Sequence, residues 1–281
     1  IPFRIYKLVN NELKCIASRE LDGKYIVEES WIYSKDGIPI HFFRVKNREK
    51  DLGIVLAYGY GGYRIPMVPV YIPYILPFID EGGEYVVANI RGGGEYGEKW
   101  HREGMREKKQ NVFNDFISVL ECLKKEGKKV FAYGVSNGGL LIGAVMTQRP
   151  DVLDGAIIAY PVLDMMRFHK LFIGRLWTAE FGNPDDPRDR EFLLKYSPYH
   201  NLKPGIKYPP VLLVTGLKDD RVHPAHVFKF AAKLEEIGSN YLLRVEKESG
   251  HSGASPSRKI AEYADILSFI YMYSGIYCST N

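Results

Sequence analysis

Ser136 stands in the run Gly134-Val135-Ser136-Asn137-Gly138-Gly139, a G-x-S-x-G arrangement whose small residues leave room for a serine on a sharp turn. A serine hydroxyl is a weak nucleophile at neutral pH. It needs a base to take its proton and a carboxylate to orient that base. Downstream the chain supplies Asp219 and Asp220 in Gly216-Leu217-Lys218-Asp219-Asp220-Arg221, then His251 in Glu248-Ser249-Gly250-His251-Ser252-Gly253. The order serine, acid, histidine is the one an α/β-hydrolase uses for acyl transfer. Either aspartate satisfies it, and glycines on both sides of His251 give a loop the freedom to carry the imidazole over the serine. Each residue also has a plainer reading: a strand-to-helix turn for the serine, a solvated loop residue for the histidine, and a cap before the helix near Pro224 for Asp220. Asp219, Asp220, His223 and His226 are of metal-ligating types, but His223 and His226 flank a first helical turn that Pro224 suits, and neither a metal nor a cofactor is expected.

The flanking patterns place these residues on elements that can present them. The run 129–133 is short and β-prone, and 140–146 is continuously apolar, so Ser136 falls between a strand and a buried helix whose N-terminus favours developing negative charge. Strands are predicted at 31–33 and 38–45 around Asp36-Gly37, and at 54–57, 85–88, 130–133, 155–159, 211–215 and 241–245; helices at about 71–80, 111–125, 137–148, 225–237 and 257–273. Alternating strands and helices predict an α/β fold with a mostly parallel central sheet covered by helices on both faces. The acid loop follows one predicted strand and the histidine loop the last, where such sheets collect functional groups. Ahead of this, residues 1–8 and 12–17 read as two short strands around Asn10-Asn11.

Composition narrows the class. A chain of 281 residues that is 46% hydrophobic and 26% charged can bury one substantial core. A net charge of +4 with scattered basic residues argues against a nucleic-acid platform, and Lys124, Lys125, Lys128 and Lys129 cluster where a helix C-terminus favours cations. No apolar run reaches the length of a membrane span, so no membrane partner is expected. Cys15, Cys122 and Cys278 are widely spaced and odd in number, which predicts a reducing, cytoplasmic setting.

Several blocks together resemble the prolyl oligopeptidase family of serine peptidases, specifically its catalytic domain. They are Tyr58-Gly59-Tyr60-Gly61-Gly62, Ala88-Asn89-Ile90-Arg91-Gly92-Gly93-Gly94-Glu95-Tyr96-Gly97, Ser136-Asn137-Gly138-Gly139, Lys195-Tyr196-Ser197-Pro198, Asp219-Asp220-Arg221-Val222 and Gly250-His251, in the family's order across most of 31–273. The resemblance implies an α/β-hydrolase fold and cleavage of short peptides on the carboxyl side of proline through an acyl-enzyme. It selects Asp219 as the acid, and it makes the Tyr60 phenol an oxyanion donor beside the Asn137 N–H, although by itself Tyr60 reads as a core tyrosine. It further implies that Trp177 stacks on the substrate proline, that Tyr63, Val162, Phe181 and Val222 line the same pocket, and that Arg221 binds a peptide carbonyl. Apart from the resemblance, the apolar members read as core. Two departures stand out: Val135 where the family usually has glycine, and Tyr63 where it has phenylalanine. A general esterase or an acylaminoacyl peptidase would use the same triad, and a noncatalytic peptide-binding module would keep Trp177 and Arg221 without needing Ser136 and His251.

A β-propeller precedes the hydrolase domain in this family. Residues 1–28 are accordingly expected to be its terminal strands and linker, and residues 29–281 the catalytic domain. The sequence begins without Met, as a fragment, a processed product or an engineered form would. The missing blades, or self-association through the surface that would face them, are the partners this implies.

Overall fold

The computed structural model describes residues 4–18, 23–251 and 255–276. Its strands are β1 (Arg4–Val9), β2 (Glu12–Ser18), β3 (Tyr25–Tyr33), β4 (Pro39–Asn47), β5 (Ile54–Tyr58), β6 (Glu84–Asn89), β7 (Lys129–Val135), β8 (Gly155–Ala159), β9 (Val211–Gly216) and β10 (Tyr241–Glu246). The last eight form one sheet in the order β10-β9-β8-β7-β5-β6-β4-β3. From β6 to β10 the neighbours run parallel, and β4 and β3 close the other edge antiparallel. The helices are α1 (Leu76–Asp80), α2 (Glu98–Arg102), α3 (Gln110–Lys125), α4 (Asn137–Gln148), α5 (Thr178–Phe181), α6 (Pro187–Tyr196), α7 (Pro198–Asn201), α8 (Ala225–Glu236) and α9 (Pro256–Ser274).

Strand alternation explains why helices must cover both faces. Along β5 and β7, Val55, Ala57, Val130 and Ala132 turn to one side and join Phe116 of α3, Leu141 of α4 and Phe230 of α8 in one apolar cluster. Ile54, Leu56 and Phe131 turn to the other, against Phe78 of α1 and Phe269 and Ile270 of α9. Both sets are fully or almost fully buried, so neither face of the central strands tolerates water.

Most predicted elements fall within a residue or two of the observed ones, and three differences have physical causes. Strand β3 begins at Tyr25 and pairs with β4 as far as Asn47, because an edge strand needs only one buried face and its Glu28 and Glu29 can remain polar. The helix predicted at 71–80 is instead a 3₁₀ turn at Pro73–Ile75 followed by the short α1, since Pro73 and Pro77 remove backbone donors that a continuous helix would use. Helix α6 has no predicted counterpart. It is specified by its start, where Pro187 opens the first turn and the Asp186 carboxylate accepts from the Arg188 N–H at 2.9 Å.

The hairpin expected near the start is present as a separate two-stranded sheet, with Asn10 and Asn11 at φ 50° and 62° in the left-handed conformation its turn requires. Of that expectation, Ile1, Pro2 and Phe3 lie outside the described residues, as do Cys278 and, after His251, Ser252 and Gly253.

Candidate active site

The site is assembled at the carboxyl ends of β5, β7, β9 and β10. Ser136 follows β7 directly and sits at φ 60°, ψ −116°, a conformation that costs a non-glycine residue of order 1 to 3 kcal/mol and must be held by its surroundings. The holding groups are near. The Ser136 N–H donates to the Ala159 carbonyl at 2.9 Å, and the Ser136 carbonyl accepts from Leu140 N–H at 3.1 Å to start α4. A Cβ on Gly134 would run into the Gly138 carbonyl, and one on Gly138 would stand 2.7 Å from the Gly59 carbonyl, so both positions need glycine for close approach. Val135, by contrast, is an ordinary strand residue opposite Ala159 and its backbone is not left-handed, so the elbow forms with a side chain there. The Asn137 N–H is one of the unsatisfied donors at the start of the twelve-residue α4, where the helix dipole favours a developing anion.

His251 and Asp219 meet as a pair. Asp219 is 2% exposed; its Oδ2 lies 2.8 Å from His251 Nδ1, while Oδ1 accepts from the N–H groups of Arg221 and Val222, each at 2.9 Å. The neighbouring Asp220 is exposed. The two loops are strapped together where Lys218 N–H donates to the Ser249 carbonyl at 3.1 Å, and Gly216 permits this because a Cβ there would collide with that same carbonyl. Under the imidazole, the Tyr160 ring packs edge-on at 5.8 Å, fixed by its phenol, which donates to Glu262 at 2.6 Å. The four residues of metal-ligating type diverge: Asp219 goes to His251, His223 stacks on Phe172 at 4.5 Å, and His226 turns inward to accept from the Asp164 N–H at 3.1 Å.

Tyr60 lies on the loop after β5, and Asn137 Nδ2 donates to its carbonyl at 2.6 Å, linking that loop to the elbow. Burial pushes the Tyr60 phenol up to about 12, with Glu180 acting in the same direction and the Arg221 guanidinium against it, so the hydroxyl remains a hydrogen-bond donor at neutral pH. Behind it, Gly92 brings the Arg91 loop into contact: a Cβ there would stand 2.5 Å from the Gly61 carbonyl. That loop is a structural support, with Arg91 buried and donating to Asp115 at 2.8 and 2.5 Å and to Asp36 at 2.6 and 3.0 Å.

Trp177 ends a 3₁₀ turn leading into α5, half-buried against the cluster that contains Val162, Phe181 and Val222, which are 2%, 0% and 3% exposed. Tyr63 joins them, its ring edge-on to Phe181 at 5.7 Å. Burial, reinforced by Glu180, holds its phenol far above the usual tyrosine range and therefore neutral. Arg221 is exposed beside this group.

Ser136 at its strand-to-helix turn, the Asp219–His251 pair and the Tyr60 loop all lie at the carboxyl ends of strands in the parallel part of the sheet. The prolyl oligopeptidase family model of peptidases matches residues 71–276. The chain belongs to the prolyl oligopeptidase family. Its relatives include the prolyl endopeptidase of Elizabethkingia miricola, 42% identical over 264 residues that cover 90% of this chain and 37% of that protein. A solved prolyl endopeptidase superposes with a TM-score of 0.94 at 38% identity, covering 98% of this chain and 43% of that one. The Galerina marginata prolyl oligopeptidase B, solved bound to a 35mer hydrolysis and macrocyclization substrate, superposes with a TM-score of 0.86 at 34% identity over 94% of this chain and 39% of that one. The chain thus spans well under half the length of these members of the prolyl oligopeptidase family.

Sequence reasoning passed over three residues that the structure places at this site. Lys109 and Glu180 are buried behind the Tyr60 loop, and the half-buried His101 ring contacts Glu180. Lys109 follows Lys108 and so reads as part of a solvated basic run; the one available signal is Glu180, a carboxylate set between the apolar Trp177 and Phe181.

Proposed function

We propose that this chain is the catalytic part of a serine peptidase that cleaves short peptides on the carboxyl side of proline through an acyl-enzyme. Ser136 Oγ attacks the carbonyl carbon as His251 takes its proton, and the developing oxyanion is received by the Asn137 N–H and the Tyr60 hydroxyl. The tetrahedral intermediate collapses as His251 gives the proton to the leaving amine. Water then repeats the sequence on the acyl-enzyme. Asp219 holds the imidazole with Nδ1 protonated and stabilises the imidazolium. The observation that carries this reading is the Asp219–His251 pair at 2.8 Å, on loops strapped together, in a sheet whose β7 leads directly into a serine held at positive φ. Trp177 stacks on the proline ring, Tyr63, Val162, Phe181 and Val222 complete the apolar wall, and Arg221, whose charge already acts on the Tyr60 phenol, binds the peptide carbonyl upstream.

We further assign residues 1–28 to the end of a propeller and its linker and 29–281 to the hydrolase domain. The exposed apolar side chains Ile5, Leu8, Leu13 and Ile16 support a covering partner there, either propeller blades or a second copy. The cytoplasmic assignment rests on cysteine usage: Cys15 and Cys122 are unpaired among the described residues, and no helix among them is long and apolar enough to cross a membrane.

The decisive experiment compares succinyl-Gly-Pro and succinyl-Gly-Ala chromogenic substrates. An apolar slot distinguishes them mainly by buried carbon, worth about 1 to 3 kcal/mol, so kcat/KM should favour proline by roughly tenfold or more. Trp177→Ala should remove most of that ratio while leaving ester reactivity at Ser136. Equal rates on the two substrates in the unaltered chain would promote the esterase or acylaminoacyl-peptidase reading instead.

A further inference from the structure

The proposed chemistry leaves a buried charged group unused. Lys109, 1% exposed, immediately precedes α3; its Nζ donates to the Gly61 carbonyl at 2.8 Å and lies 3.6 Å from Glu180 Oε1. Glu180, 4% exposed on α5, accepts from the Tyr63 N–H at 3.1 Å through Oε1, and its Oε2 lies 2.8 Å from His101 Nε2 on α2. The ammonium also stands 5.4 Å from the centre of the Phe181 ring.

Such a group is a poor stability device. Taking an ammonium and a carboxylate out of water costs several kcal/mol per ion, and their attraction does not dependably recover it. What this pair does is grip the Tyr60 loop on both sides of Gly62, at the Gly61 carbonyl and the Tyr63 N–H. That segment needs gripping: Gly61, Tyr63 and Arg64 are left-handed at φ 63°, 57° and 56°, and the two non-glycine residues persist there only if the surroundings over-determine them. Asn137 already fixes the Tyr60 carbonyl from the elbow side, at 2.6 Å. Glu180 lies between Trp177 and Phe181, so one carboxylate references both the loop of Tyr60 and the wall of the proline pocket. Burial brings the Lys109 ammonium down to about 8, opposed by Glu180, which keeps it mostly charged at neutral pH.

We propose that Lys109 and Glu180 are positioning residues, which fix the Tyr60 hydroxyl where the oxyanion forms and in register with the Trp177 pocket. This rests on the serine-peptidase reading above. The test is a double-mutant cycle in the full chain, read by turnover of succinyl-Gly-Pro-p-nitroanilide and by the rate at which a fluorophosphonate labels Ser136. Lys109→Met should lower kcat by roughly tenfold or more while moving KM by less than about threefold, because a misplaced donor is felt in the transition state and scarcely in the ground state. In a Tyr60→Phe background the same change should cost less than about twofold, since no hydroxyl remains to be positioned. Glu180→Gln, which keeps an acceptor for the Tyr63 N–H, should repeat the pattern with less disturbance of packing. Losses that multiply in the double variants, or a loss confined to KM or the thermal midpoint, would overturn the assignment. No labelling of Ser136 in the unaltered chain is a separate failure that removes the serine-hydrolase reading itself. If the chain is labelled but does not prefer proline, the labelling-rate cycle decides the matter in the same terms.

Discussion

Asp219 is committed before any substrate arrives, since Oδ1 is occupied by two backbone donors and Oδ2 is left facing His251 Nδ1. An Asn at this position can keep Oδ1 as an acceptor, but it then turns its NH₂ toward the imidazole and demands the opposite tautomer, with the proton on Nε2 where the serine must deliver one. Asp219→Asn should therefore fold with nearly unchanged stability and lose on the order of 10⁴ in kcat, the size seen for this tautomer error in serine proteases. Asp220→Asn, at an exposed carboxylate one residue along, should change kcat by less than about twofold. Stopped assays on the two purified variants decide it, and a dead Asp220 variant with a working Asp219 one would reverse the assignment. The sequence by itself leaves the two aspartates equivalent, because both lie in the same loop at the same distance from the serine and histidine blocks. They differ only in where the turn after β9 points each side chain, which depends on the Arg221 and Val222 N–H groups and is invisible in residue types. The placement of Ser136 between a strand and a helix, and of His251 in the loop after the last strand, was legible because their neighbours are small and their flanks are strand and helix. Lys109 and Glu180 were not, since burial of a charge depends on which segments the topology brings together.

Helix α8 starts from the acid loop, and its first turn carries a second histidine with a different fate. His226 is 1% exposed, accepts from the Asp164 N–H at 3.1 Å, and leaves Nε2 without a partner among the described residues. Burial, with Lys229 and His223 adding to it and Asp164 and Asp219 opposing, brings its pKa down to about 4 from an ordinary 6.5. Between those values the unfolded chain binds a proton that the folded one refuses, so this site's contribution is fully present above pH 6.5 and is lost as the pH falls toward 4. From pH 7 to pH 5 the loss from this one group is about 2 kcal/mol. His226→Asn retains an acceptor for Asp164 N–H and cannot titrate. It should lower the thermal midpoint at pH 7 but lessen the further fall between pH 7 and pH 5; an unchanged acid slope in the variant would refute this account of His226. At the scale of elements the sequence was most readable where periodicity is strong, as in β8 and α4, whose bounds coincide with the predicted ones. It was least readable between β8 and β9, where α5, α6 and α7 are short and held by prolines, the Asp186 cap and contacts distant in sequence. The segment that carries Trp177 and Glu180 lies in that interval.

The molecule as a whole is a two-faced sheet with one piece that does not join it. Every described side chain of β2 is exposed, and in β1 only Val9 is even partly covered, so the hairpin adds almost nothing to either apolar cluster. A two-stranded hairpin without a packed face is marginal in water. The large sheet is fastened independently at its edge, where the Tyr25 phenol donates to Asp80 at 2.6 Å and Lys24 pairs with the same carboxylate at 2.9 Å. A chain begun at Gly23 should therefore keep its thermal midpoint within about 4 °C, the shift that corresponds to roughly 1 kcal/mol in a domain of this size, and keep its Ser136 labelling rate. It should also self-associate less, because the 47%, 65%, 68% and 62% exposed Ile5, Leu8, Leu13 and Ile16 leave with the hairpin. A chain begun at Ser34 makes the contrast. It removes β3, bares the hydrogen-bonding edge of β4 over the buried Ile40 and Phe42, and should aggregate or melt far lower. Thermal melts and light scattering on the three chains separate these outcomes. If the Gly23 chain melts as low as the Ser34 chain, the hairpin is part of the hydrolase fold, and the proposed boundary after residue 28 must be redrawn ahead of Arg4.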